Sequence, residues 1–170
     1  MGLDMYAYCV DPDDVINDFG FRQNSTTQFF YWRKHPNLHG LMERLWRKRV
    51  SSLGTQALDE REAELAREER EDEVELAASA GEPAPAPSLA AVSTYMLESL
   101  TFNCEPLRLY EEDLQCIEAA IKQESLPETI GFFFGESESS DEQQQEDLAF
   151  VEQAREHIRE GKAVYYNSWW

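Results

Sequence analysis

The sequence predicts an α+β domain. An antiparallel or mixed sheet of about four or five short strands carries about three or four packed helices, with a helical and Pro-rich insertion in the middle. Three observations predict it. Short runs with two-residue alternation stand at both ends of the chain, several stretches have apolar residues at i, i+3 and i+4, and a charged, Pro/Ala-rich tract separates them.

Gly2 to Cys9 alternates as a strand, with Leu3, Met5, Ala7 and Cys9 on one face and Asp4, Tyr6 and Tyr8 on the other. Residues 11–27, opened by Asp11-Pro12-Asp13-Asp14, read as a loop, and Gln28–Arg33 as a second short strand. Asn37 is a candidate cap for a helix whose Leu38, Leu41, Met42, Leu45 and Trp46 define one buried face. Residues 51–88 read as an inserted, mobile excursion from a domain formed by 1–50 and 89–170. Its apolar stripe is thin, like charges dominate its i,i+4 pairs, and Gly81-Glu82-Pro83-Ala84-Pro85-Ala86-Pro87 cannot be helical.

Order is expected to resume at Ser88 with a short helix, followed by a strand over Phe102–Leu109 that Pro106 places at an edge. Glu111–Glu124 reads as a helix with Leu114, Ile117 and Ile121 inward and Cys116 on the same apolar side. Ile130-Gly131-Phe132-Phe133-Phe134-Gly135 reads as a central strand. A helix from about Asp141 to Glu160 turns Leu148, Val151, Ala154 and Ile158 inward, Gly161 ends it, and Ala163–Trp169 closes the sheet.

In 170 residues, 34 acids face 15 Lys and Arg, a net charge of −19 that disfavours direct binding to a nucleic-acid backbone. At 42% apolar and 12% aromatic the chain is too rich for wholesale disorder. Cys9, Cys104 and Cys116 form no CxxC pair and no disulfide framework, which suits reduced thiols in a cytoplasm. The opening Met1–Tyr6 has no basic or apolar region of a signal peptide, and no apolar run is long enough to span a membrane. The charge is unevenly placed. Residues 29–50 hold six basic groups (Arg33, Lys34, Arg44, Arg47, Lys48 and Arg49), whereas residues 105–160 hold sixteen acids against four basic groups.

Motifs with a fixed chemistry are absent: no P-loop, GxSxG, GxGxxG, HExxH or EF-hand pattern occurs. His35 and His39 have a zinc-compatible i,i+4 spacing, but Pro36 puts His35 ahead of the helix, so no metal or other cofactor is expected. Asp4, Tyr6, Trp32, Arg33, Lys34, His39 and Tyr166 could converge on a polar-aromatic pocket for an anion or for acid–base chemistry. The alternative is a structural Asp4–Arg33 pair beside core aromatics.

Four blocks carry a resemblance: Met1-Gly2-Leu3-Asp4-Met5-Tyr6, Tyr31-Trp32-Arg33-Lys34 with His39, Gly131-Phe132-Phe133-Phe134-Gly135, and Tyr165-Tyr166-Asn167-Ser168-Trp169. Together with Asn103-Cys104 and Glu112-Asp113-Leu114, they resemble a family of small uncharacterised bacteriophage and prophage proteins. The resemblance implies a phage or mobile-element setting in a bacterial host cytoplasm, and no established activity. This chain departs from the family pattern in residues 51–88 and in Tyr110, which stands where the family has a Ser or Thr helix cap.

The expected function is that of a non-enzymatic accessory protein. An acidic helical face, comprising Glu111, Glu112, Asp113, Glu118, Asp141, Glu142, Glu146 and Asp147, would dock on a basic host protein, itself of a nucleic-acid-binding kind. A small ligand-binding protein or enzyme using the Asp4, Arg33 and His39 pocket is the alternative. Self-association into a homodimer through the aromatic termini is a third expectation.

Overall fold

The computed structural model describes residues 2–24, 26–73, 102–129 and 140–170, with 55–73 as backbone alone. Its elements in chain order are β1 (Asp4–Val10), a short 3-10 turn (Pro12–Asp14), β2 (Val15–Asn17), β3 (Gly20–Phe21), β4 (Thr26–Arg33), α1 (Pro36–Glu73), β5 (Leu107–Leu109), α2 (Glu111–Lys122), α3 (Asp141–Arg159) and β6 (Ala163–Trp169). The chain divides into two compact units, Met1–Trp46 with Phe102–Trp170, and Arg47–Thr101.

The first unit is an α+β fold built on a four-stranded sheet in the order β4-β1-β6-β5, antiparallel throughout, with β2 and β3 forming a separate hairpin. The two ends of the chain meet in the sheet centre, where Tyr6 pairs with Asn167 and Ala7 with Tyr166. Strand alternation then sorts every side chain. Leu3, Met5, Ala7 and Cys9 lie under the helices and are buried with Trp32 of β4, Leu107 and Leu109 of β5, and Val164 and Tyr166 of β6.

Against this face pack Leu38 and Met42 of α1, Leu114, Ile117 and Ile121 of α2, and Phe150, Val151 and Ala154 of α3, all buried. Phe150 is the hub of an aromatic cluster, with its ring 4.6 Å from that of Trp32 and 5.6 Å from that of Phe30. Edge-to-face contacts of this kind add about 0.5–1.5 kcal/mol each beyond area burial.

Several local expectations are corrected. Residues 11–27 are more than a loop: Val15 and Phe21 of the β2–β3 hairpin cover Val10, Ala163 and Tyr165 on the opposite face of the sheet. The Tyr165 hydroxyl donates to the Asn17 carbonyl at 2.6 Å, and burial pushes this phenol up to about 12. The strand expected over Phe102–Leu109 shortens to Leu107–Leu109, because Asn103 instead exchanges two hydrogen bonds with the Trp170 backbone.

The helix that begins at Pro36 continues to Glu73, through the start of the segment read as an excursion. An existing helix adds one hydrogen bond per residue without a new nucleation cost, which offsets like-charge pairs of about 0.2–0.5 kcal/mol each. Cys116 is exposed, not packed. Tyr110 precedes α2 without a hydroxyl cap, and the Asp113 carboxylate takes over by accepting the Tyr110 backbone N–H at 2.9 Å. The readings for 74–101, including the Pro/Ala tract and the helix after Ser88, and for the 130–135 strand lie outside the described residues.

Asn37 is a correction of a different kind. It lies inside the first turn of α1, and its side-chain oxygen accepts the Thr129 backbone N–H at 3.1 Å. This bond draws the 126–129 segment onto the helix at Gly40, where an added Cβ would stand 1.9 Å from the Thr129 hydroxyl and 3.0 Å from its Cβ. Gly40→Ala is therefore expected to destabilise the fold by about 1–3 kcal/mol in urea unfolding, through overpacking. Adding Thr129→Ala should recover part of that loss; additive effects of the two changes would show that the contact does not set the cost.

Candidate functional site

The turn from β4 into α1 delivers two side chains to one place. Trp32 faces the helices by strand alternation. Lys34 then takes a left-handed conformation (φ 56°) and donates its N–H to the Leu3 carbonyl at 2.8 Å. His35 precedes Pro36, which opens α1 with a φ suited to the first helical position. Here His35 stands at the cap position, with its backbone carbonyl accepting from His39 N–H at 3.1 Å and its ring turned to α3.

The ring meets Asp147. His35 Nε2 lies 2.7 Å from Asp147 Oδ2, while Asp147 Oδ1 accepts from the Trp32 indole N–H at 3.0 Å and from the Gln143 amide at 3.3 Å. Asp147 is 2% exposed and His35 5%. A buried carboxylate is costly unless it is fully hydrogen-bonded, and three donors meet that condition here. Because an ionised carboxylate only accepts, the His35 Nε2–H is the donor in this contact.

Beside this pair a cavity of about 240 Å³ opens between the end of α2 and the start of α3. His35, Asp147 and Gln143 line its inner part, and the exposed carboxylates of Glu124 and Asp141 line its outer part. Ser140 caps α3 at this edge, accepting the Gln143 backbone N–H at 3.1 Å. A second buried pair lies deeper under the sheet: His39 Nδ1 is 2.8 Å from the Tyr166 hydroxyl, with the imidazole stacked on Phe102 at 5.4 Å. Burial holds His39 down at about 4 and pushes Tyr166 well above the usual phenol range.

The residues expected to form a single pocket are divided by the sheet. Trp32, His39 and Tyr166 lie on the helix side, buried, whereas Asp4, Tyr6 and Arg33 lie on the other face beside exposed Tyr31, whose hydroxyl donates to Asp4. Lys34 is exposed at the turn. Asp4 and Arg33 are cross-strand partners in register, so alternation puts both on the face opposite their neighbour Trp32. A convergent Asp4–Arg33–His39 pocket is thus excluded by the pleat. Trp169, at the outer end of β6, is 55% exposed.

The acidic set is also redistributed. Asp147 is not a surface acid but the buried acceptor just described. Glu111 and Glu118 of α2 turn toward α3 and share Arg155, at 2.8 Å and 2.7 Å. Hydrogen bonds from Lys122 and Arg155 hold the Glu118 carboxyl below its usual range. Asp113 is half-buried on its capping bond, while Glu112, Asp141, Glu142 and Glu146 are exposed.

Sequence reasoning weighed His35 only as a zinc ligand and missed its place in this site, and it missed Gln143. A His-Pro step after an aromatic strand was their only signal, and it does not say what the imidazole touches. Among the described residues, no group of three or more His, Cys, Asp or Glu is placed to hold a metal ion, and no helix is long and apolar enough to cross a membrane. Comparison with protein-family models, curated proteins and solved structures finds no match to this chain.

Two outcomes are expected. Asp147→Ala strands two buried donors and should lower the unfolding free energy by about 3–5 kcal/mol, with a changed Trp32 indole N–H resonance. The His39 shift sets an acid limb of stability. The unfolded chain takes up the histidine proton near 6.5 and the folded chain only near 4. Stability is therefore full above the higher value and falls as pH drops through this window, by roughly 3 kcal/mol in all. Urea unfolding from pH 7 to 4 should show this slope and His39→Gln should flatten it; parallel curves would assign the limb to other groups.

Proposed function

We propose that this protein is a non-enzymatic accessory protein that binds a basic protein through the outward face of α2 and α3. The observation that carries this reading is the sorting of charge on those two helices. Arg155 is turned inward to Glu111 and Glu118, so its positive charge is used between the helices. Glu112, Asp141, Glu142, Glu146, Glu152 and Glu156 remain exposed on the outside.

Such a face, in a chain of net charge −19, attracts basic surfaces and raises their association rate, and it repels phosphate backbones. A protein that itself binds nucleic acid offers the matching positive surface. The resemblance to phage and prophage proteins supports a bacterial host protein as the partner and the host cytoplasm as the setting.

The test is capture from bacterial lysate on the tagged full chain, washed at low and high salt, beside a Glu112→Gln/Glu142→Gln/Glu146→Gln/Glu152→Gln variant. A dominant basic partner should leave as salt rises, and the variant should retain roughly tenfold less or lower still, since screening acts within about 10 Å at 0.1 M salt. Capture that ignores salt, or a variant that binds as well as the parent, would remove this reading.

A further inference from the structure

We infer that the cavity between the end of α2 and the start of α3 is a socket for an arginine side chain of the bound partner. This rests on the reading that the α2–α3 face binds a basic protein, and it names the group that the face recognises.

Two features of the cavity point to a ligand that only donates hydrogen bonds and carries positive charge. Glu124 and Asp141 supply two exposed carboxylates on its lining, and Asp147 a third, buried one. His35, itself more than nine-tenths buried, lines the same cavity and is held in place by its Nε2 contact with Asp147. The α2 helix also ends here, at Lys122, and Ile121 of its last turn lines the cavity, which places the negative end of the dipole beside the same space. At the start of α3 the opposite dipole is countered by Asp141 and by Ser140, which already occupies the Gln143 N–H.

Arginine fits this set better than lysine or a neutral group. Its planar fork presents five N–H donors and no acceptor, which matches separated carboxylates, whereas an ammonium is a compact, strongly hydrated point charge. Its aliphatic stem can run over Ile121 and Leu126, which line the same cavity. The volume of about 240 Å³ is below the usual span for drug-sized ligands and suits one long side chain. An anion would meet three carboxylates and is disfavoured.

The probe is N-acetyl-arginine amide titrated into the full chain, followed by the His35 imidazole and Trp32 indole N–H resonances. The controls are N-acetyl-lysine amide and the uncharged citrulline analogue. Saturable shifts of both resonances are expected with the arginine compound, weaker ones with lysine, and none with citrulline. Glu124→Gln and Asp141→Asn alter exposed side chains, so the fold stays intact, and each should weaken arginine binding roughly three- to tenfold.

Absent shifts at tens of millimolar, or equal shifts with citrulline, would overturn the socket. Capture of the basic partner separates the two readings. A partner lost from the Glu112/Glu142/Glu146/Glu152 variant but held fully by Glu124→Gln/Asp141→Asn would leave the face standing and overturn the socket. Arginine-amide binding with no salt-sensitive protein partner would instead assign the cavity to a free guanidinium compound and overturn the partner side chain as its occupant.

Discussion

The buried carboxylate of Asp147 is the constraint on which this arrangement of elements depends. It holds the β4–α1 turn to α3 through Trp32 and His35, residues more than a hundred positions away in sequence. Hydrogen bonds to a charged group contribute about 1.5–3 kcal/mol each, but a buried charge repays its desolvation only when every partner is present. Asp147 therefore specifies one geometry for the turn: Lys34 left-handed, His35 at the head of α1, and Trp32 edge-to-face with Phe150. Loss of any donor leaves a buried acceptor exposed to the full cost of its desolvation.

The sheet imposes a second constraint by the plain fact of its pleat. Neighbouring residues on one strand face opposite sides, so Trp32 and Arg33 cannot serve one pocket, nor can Tyr165 and Tyr166. On the helix side the buried polar groups include two close pairs, His39 with Tyr166 and His35 with Asp147. On the other side the β2–β3 hairpin covers Tyr165 and leaves Tyr31 and Trp169 exposed. The aromatic content of the chain is thereby divided between a tightly packed core and a wetter face.

Charge follows the same division of labour. The inward acids of α2, Glu111 and Glu118, are matched by Arg155 of α3 and serve the packing of one helix on the other. The outward acids have no such role in the fold, and at the end of the helix pair they meet the cavity that contains the His35–Asp147 pair. A binding reading and a structural one thus share a boundary: the carboxylate that fixes the turn also forms the floor of the space where a cation would be received.

The α+β class, strands β1, β4 and β6, the helices at Glu111 and Asp141 and most core positions were legible in the sequence. Each rests on local periodicity: Leu3, Met5 and Ala7 alternate, and Leu114, Ile117 and Ile121 recur at helical spacing, whatever they pack against. The site was not legible in that way. Asp147 sits in an acid-rich helix and looks like its neighbours Glu146 and Glu142, and nothing local marks it as the one turned inward toward Trp32. His35 looks like a residue outside a helix, which it is, but its partner comes from the far end of the chain. Hydrophobic period is a property of a segment, whereas the pairing of a buried charge is a property of two segments brought together. The first could therefore be read from sequence alone, and the second was decided only when the tertiary structure set α3 beside the β4–α1 turn.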